Sequence, residues 1–329
     1  MDQVDKKLKI SFMPCSNMRG ASSRIRVYFI AAALRAQGYQ VEVSRAPTDP
    51  DVLVIQKRID SVTLAAAKSV RARGGRVVYD LDDFGIGLDW LKIDPRVEGE
   101  LLSLVDTLVV DTDERLAFCM DNNKYKDIPH RAVIPDCIDY YPWLPRPVLE
   151  RPPLGAKPKA IWFGNAVNFS AASEYLAAAV DRGVVERVDV YTNQTHTSDL
   201  GIRFPGLGFH GWSLETFPSI VSGYDCSVLI HDSNKEGQLK SNNKMLVCLA
   251  AGVVPFVSHT PSYRSTAYEI GCPELVVSSA PALLERLRSR SLMSSLRLAL
   301  TSPQVGEYLK RLSPQVIAQK LIDCIQLTP

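Results

Sequence analysis

The chain has 329 residues, with 38 Lys+Arg against 36 Asp+Glu for a formal net charge of +2, and it is 46% hydrophobic, 22% charged and 8% aromatic. That balance describes a globular protein and argues against a nucleic-acid binder held mainly by phosphate contacts. No apolar run reaches the roughly 18–20 residues of a membrane span, and the opening MDQVDKKLKI lacks the apolar stretch of a signal peptide, so a cytoplasmic protein is expected. At roughly 100–200 residues per domain, two domains are expected. The seven cysteines, Cys15, Cys119, Cys137, Cys226, Cys248, Cys272 and Cys324, are scattered and form no CxxC pair. They fit a reducing compartment better than a disulfide framework or a zinc site.

In chain order, LKISFMP (8–14) reads as a strand, SSRIRVYFIAAALRAQG as a helix, and YQVEV (39–43) and DVLVIQ (51–56) as strands. A helix about 60–73, the strand RVVYDL (76–81), the strand TLVVD (107–111), the helical stretch ERLAFCMDN and the strand-like RAVIP (131–135) follow. Buried strands alternating with helices are the pattern of a doubly wound parallel sheet. The segment 142–159 holds six prolines and reads as an interdomain connection. The pattern then restarts with AIWFGN (160–165), a helix near 170–182, VERVDVYT (185–192), GYDCSVLIH (223–231), a helix around 242–251 and VVPFVS (253–258). LVVSS (275–279) reads as a last strand, with helices near 281–300 and 314–326. The architecture expected is α/β, with two Rossmann-like halves.

In open α/β sheets ligands bind outside the carboxyl ends of the strands, so the loops there carry the chemistry. The first, CSNMRGASSRIR (15–26), places Gly20 where backbone can approach a phosphate or sugar, with Arg19, Ser22, Ser23, Arg24 and Arg26 around it to add charge and hydroxyls. The dinucleotide fingerprint GxGxxG is absent. The competing reading is an N-capped helix with solvated arginines. The second loop follows Asp80-Leu-Asp82-Asp83, three carboxylates at one strand end. They suit either carboxylates that meet sugar or acceptor hydroxyls, or magnesium-assisted phosphoryl chemistry, since VVYDLDD resembles the strand-end DxD of haloacid-dehalogenase-type phosphatases. A purely structural turn is the third option. Against the phosphatase, Phe84 stands where that family usually has threonine or valine.

The third region runs from 208 to 258. A strand ends at His231-Asp232, and a helix beginning near Ser241 or Asn242 carries Lys240 and Lys244 at its start, with Asn243 between. Lysines four apart share a helical face and oppose the macrodipole, which suggests a bound anion there. The alternative is two solvated lysines on an exposed turn. His210 and His231 fall near strand ends, where each is either a ligand contact or a hydrogen-bonded structural histidine.

Trp212, Glu215, Tyr224, Asp225, Asp232, Gly237, Lys240, Lys244, Ala250, Ala251, Gly252, Pro255, Val257 and Ser258 stand in an order similar to the donor-binding half of GT-B glycosyltransferases. The stretch 22–43 resembles the first helix and second strand of that family, AVIPDCIDYYPW (132–143) its hinge, and IWFGN (161–165) the opening strand of its second domain. The chain departs from the retaining members where two glutamates eight apart are usual, since Leu239 and Val247 stand there. Asp82 occupies about the place of a histidine near the reacting sugar, and Asn165 and Asn168 replace an Arg/Lys pair.

The resemblance implies two Rossmann-like domains facing across a cleft. They would be an acceptor-binding domain over 1–145, a nucleotide-sugar-binding domain over 146–313, and a terminal helix over 314–329 packing near the hinge. It implies transfer of a sugar from a nucleotide-sugar donor to a glycan or lipid-linked acceptor, without metal or other cofactor and with retained configuration; the alternatives are the phosphatase centred on Asp80 and Asp82 or a non-catalytic sugar-nucleotide-binding module. Donor contacts would come from Gly20, Asn165, His210, His231, Asp232, Lys240, Ser241, Asn242, Asn243 and Lys244. Acceptor contacts would come from Arg19, Ser22, Ser23 and Arg24. Lys240 and Lys244 would stabilise the leaving phosphate, and Asp82 or Asp83 would serve as general base if the reaction inverts. Bacterial members of this type commonly build polysaccharides, so peripheral membrane contact is a further expectation. The Arg-bearing stretch 283–300 would supply it, unless that stretch is a surface helix packed on its own domain.

Overall fold

A computed structural model describes residues 8–83, 93–140, 154–193, 197–204 and 206–327. The chain divides into two compact units, residues 1–137 with 311–329, and residues 138–310. In the first unit the elements are β1 (Lys9–Met13), α1 (Ala21–Ser23), a π-helical segment Arg24–Tyr28, α2 (Phe29–Ala36), β2 (Gln40–Val43), β3 (Val52–Gln56) and α3 (Ser61–Ala72). They continue with β4 (Arg76–Leu81), α4 (Pro95–Ser103), β5 (Thr107–Val110), α5 (Asp113–Asp121) and β6 (His130–Val133). The strands form one parallel sheet in the order β2-β1-β3-β4-β5-β6, with Met13 opposite Ile55 and Val54 opposite Val78. β3 and β5 are buried along their whole length, which is why VLVIQ and TLVV read as unbroken apolar runs. One core cluster joins Leu53, Ile55, Val77 and Tyr79 of the sheet to Leu64 and Ala67 of α3 and Leu101 of α4. Local signals set the helix starts. The Asp60 side chain accepts from Thr63 N in a capping box before α3, and Thr112 caps α5.

The second unit contains β7 (Lys159–Phe163), a 3-10 turn Ala166–Asn168, α6 (Ser170–Asp181), β8 (Arg187–Thr192), α7 (Thr197–Arg203), β9 (Gly208–Gly211) and α8 (Phe217–Val221). After these come β10 (Cys226–Leu229), α9 (Lys235–Gln238), α10 (Asn243–Ala250), β11 (Val254–Val257), α11 (Pro261–Glu269), α12 (Ala280–Arg288), α13 (Arg290–Ala299) and α14 (Pro303–Arg311). Its sheet is parallel in the order β11-β10-β7-β8-β9. α15 (Pro314–Leu327) belongs to the first unit and packs along α2, and Arg76 bonds the Ile325 carbonyl.

Two expectations are corrected. LVVSS is not a strand: Leu275 ends a 3-10 turn, and Val276 makes only an isolated bridge to Val257. The helix expected over 281–300 breaks at Ser289, which closes α12 and caps α13 by accepting from Leu292 N. The proline-rich connection falls largely on 141–153, outside the described residues, as does Phe84. Among the described residues no helix is long and apolar enough to cross a membrane. The arginines of 283–300 are partly spent within the unit: Arg286 bonds the Val276 carbonyl, Arg290 the Leu154 carbonyl at 3.0 Å, and Arg297 lies 3.8 Å from Asp225.

Each sheet has one place where successive crossovers leave in opposite directions, between β1 and β3 in the first and between β7 and β10 in the second. At such a switch point the loops beyond the carboxyl ends diverge and leave a crevice. Both candidate clusters of side chains sit there.

Candidate functional site

In the second unit the crevice is bounded by the ends of β7 and β10 and by the start of α10. β7 turns at Gly164, φ +154°, and a Cβ there would lie 2.8 Å from Lys244 Nζ. Glycine therefore lets the lysine come directly against the strand end. The ammonium also lies 5.2 Å from the centre of the buried Trp162 ring. Burial and then neighbouring Lys240 push the Lys244 amine down to about 8. Burial and then the two lysines hold His231 well below its ordinary value, so it is neutral at pH 7. Its ring stacks on Tyr263, with centroids 5.1 Å apart, and the His231 backbone N–H donates to Ser258 Oγ at 3.0 Å.

Lys240 pairs with Glu236 of α9 at 2.9 Å, and its carbonyl accepts from Ser262 Oγ at 2.5 Å. α10 has no acidic residue in its first turn and no side-chain cap. Its helix start therefore keeps its positive end open to an anion. Asn243 Nδ2 is buried without a hydrogen-bond partner.

Other donor candidates lie apart or are already occupied. Asn242 donates to Thr266 Oγ1 at 2.7 Å and to Tyr308 OH at 2.9 Å, tying α10 to α11 and α14. Asn165 accepts from Val167 N at 3.3 Å and shapes the turn after β7. His210 bonds Asp189 at 2.8 Å and stacks on Tyr191, while Tyr224 and Arg187 reach the same carboxylate at 2.8 and 2.9 Å. Asp232 is exposed and Ser241 half-buried beside the lysines. Trp212 bonds Tyr140 OH at 3.1 Å and Trp162 packs edge-on against Phe169, as packing residues do.

In the first unit the crevice is a polar knot. Ser22 donates to Asp82 and accepts from Gln56 Nε2 at 2.8 Å. Gln56 Oε1 accepts from Ser23 Oγ at 2.7 Å and Cys15 N at 3.2 Å. Lys57 Nζ lies 3.1 Å from Asp82 Oδ1. Burial raises Asp82, but Lys57, Arg26 and the Ser22 bond outweigh it and leave the carboxyl below the ordinary range. Asp80 is 4% exposed, and both its oxygens are taken by Arg26 at 2.7 and 3.1 Å. Arg26 also reaches the Ile134 carbonyl at 2.5 Å and Asp136 at 3.3 Å.

Those pairings disfavour the phosphatase reading, because a nucleophilic Asp80 would have to be open to a phosphate. Ser23 and Arg24 are buried, and Arg24 donates to the Met18 and Arg19 carbonyls at 3.0 and 3.2 Å. Both shape the loop around Gly20, whose missing Cβ leaves room for Ser16 Oγ. Arg19 is exposed, Ser22 and Asp83 half-buried. Sequence reading passed over Gln56, Lys57, Gly164 and Tyr263, and Arg26, expected to add charge to the loop, is instead spent on Asp80 and Asp136. For Gln56, Lys57 and Gly164 the available signal was their position at a strand's carboxyl end.

No protein-family model matches the chain, and no curated protein matches its sequence. Similarity appears in the fold. An α-glucosyltransferase solved with UDP and a 13-mer DNA containing an HMU base has TM-score 0.66 at 11% identity, covering 97% of this chain and 99% of that one. HepE from Anabaena, solved with UDP, has TM-score 0.64 at 11% identity over 97% and 100% of the two chains. A glycosyltransferase from Rickettsia africae has TM-score 0.64 at 10% identity over 98% of each. The chain folds as two Rossmann-like parallel-sheet bodies, and this fold is similar to that of the solved glycosyltransferases.

Proposed function

We propose that this chain is a nucleotide-sugar-dependent glycosyltransferase whose donor phosphates bind at the start of α10. The observation that carries the reading is Lys244: a half-buried ammonium with lowered proton affinity, set against Gly164 beside Lys240 and a neutral His231. Cations crowded at a helix start are costly without a ligand, and a bound anion offsets that cost by attracting both ammonium groups and the positive end of the helix. In the transfer, an acceptor hydroxyl oxygen bonds to the anomeric carbon as the bond to the donor phosphate breaks. Negative charge grows on the leaving phosphate, where Lys240, Lys244 and the helix start stabilise it more than in the ground state.

The leaving phosphate takes the hydroxyl proton if configuration is retained, the outcome the sequence resemblance favours. No metal is needed in this scheme, so EDTA is expected to leave transfer intact. The acceptor is a glycan or lipid-linked glycan of bacterial polysaccharide synthesis, handled in the cytoplasm with peripheral membrane contact. Association with anionic vesicles in flotation checks the last point. A melting screen with UDP, GDP, CMP and TDP tests the donor site, UDP first because two neighbours were solved with it. A nucleotide at about 100 times its Kd should add about 2.7 kcal/mol of stability. Lys240→Ala/Lys244→Ala should lose the shift. No shift with any nucleotide, or an undiminished one in the double variant, overturns the reading.

A further inference from the structure

Lys57 is the first residue beyond β3, and its N–H still bonds the Asp80 carbonyl at 3.0 Å, so the chain turns at the sheet edge itself. It turns through φ +53°, the left-handed region that lysine adopts only under strain. A glycine or asparagine would make the turn at less cost. Strain of this kind persists where the surrounding structure needs that particular side chain, and it marks a candidate for function. Here the side chain is only 15% exposed and runs back to place Nζ 3.1 Å from Asp82 Oδ1, while Ser22 donates to Asp82 Oδ2. Gln56, one residue earlier, holds Ser22, Ser23 and the Cys15 N–H. The end of β3 and the start of α1 thus meet on the carboxylate at the end of β4, and Gln56 ties the loop after β1 to them at the switch point of the first sheet.

We propose that Lys57 is a positioning residue that locks Asp82 as a fixed, charged hydrogen-bond acceptor at the edge of β4. The carboxylate then orients a hydroxyl of the sugar acceptor and does not take its proton. The orienting role rests on the glycosyl-transfer reading; the locking of Asp82 does not. A general base needs proton affinity near the working pH, and a carboxylate paired to a buried ammonium has far less.

The test follows the Asp82 carboxyl carbon by NMR in selectively labelled full-length protein, assigned by its loss in Asp82→Asn. Lys57→Met is expected to raise Asp82 proton affinity at least tenfold, about one pH unit, and Lys57→Arg to restore it. Lys57→Gly removes the ammonium and relieves the turn. It is expected to fold at least as well as Lys57→Met and to show the same displaced titration, which separates charge from backbone. An Asp82 titration unchanged in both Lys57→Met and Lys57→Gly overturns the proposal, as does failure of Lys57→Arg to restore it. The nucleotide melting shifts, read in parallel, are expected to be equal in wild type and Lys57→Met. Their absence from both sinks the donor reading while the Asp82 titration still decides the role of Lys57.

Discussion

Lys244 shows how a single residue couples stability to binding. Its amine is lowered to about 8 in the folded chain, against about 10.4 for a free lysine, so folding works against its charge. Between those two values the unfolded chain binds the proton and the folded chain does not, so this residue's contribution to stability rises with pH across that window. Below pH 8 the full cost remains. Lys244→Met is therefore expected to stabilise the apo protein at pH 7 by on the order of 1 kcal/mol, the amine being partly screened by solvent, and chemical denaturation measures it. The advantage should shrink between pH 8 and 10.4. Nucleotide affinity has the opposite dependence. An anion binds the protonated form, so Kd should be flat below pH 8 and rise up to tenfold per unit above it, as calorimetry across pH 6.5–9.5 would show. A flat profile through pH 9.5 would remove Lys244 from the phosphate site.

At the scale of elements, α15 shows how much of the first unit's core arrives late in the chain. Ile317, Ala318, Ile322 and Ile325 are essentially buried, and the helix lies along α2. Ile322→Ala is expected to cost about 2–5 kcal/mol. Hydrogen exchange should report that loss in β3 and β4 and leave β7 and β10 protected. Elements of this kind were legible in the sequence because buried parallel strands are continuous apolar runs and helices carry a 3.6-residue stripe. LVVSS misled because apolar content does not create a ladder: the stretch makes one isolated bridge, Val276 to Val257, with the Val277 N–H on the Val257 carbonyl at 2.8 Å. The lysine pair was legible too, since Lys240 and Lys244 are close in the chain. The knot around Asp82 was not, because Ser22 and Lys57 lie far from it in sequence and the left-handed turn at Lys57 has no glycine to announce it.

For the whole molecule, the chain path decides which part can stand alone. The first unit is discontinuous, since it needs both 1–137 and 311–329, whereas the second is the single span 138–310. That span contains every group of the proposed phosphate site: Gly164, His231, Lys240, Lys244 and the start of α10. Its sheet is complete, with β11, β10, β7, β8 and β9 paired to one another, and its core includes Trp162, Phe217, Phe256 and Tyr263. A unit with its own core and no missing strand meets the condition for folding by itself. The fragment 138–310 is therefore expected to unfold cooperatively and to keep a nucleotide melting shift close to that of the full chain. Lys240→Ala/Lys244→Ala within the fragment should abolish it. The fragment 1–137, deprived of α15, is expected to expose the apolar face of α2 and to aggregate. A folded 138–310 that binds no nucleotide, beside a full chain that does, would show that the donor site needs residues of the first unit and would relocate the specificity of the reaction there.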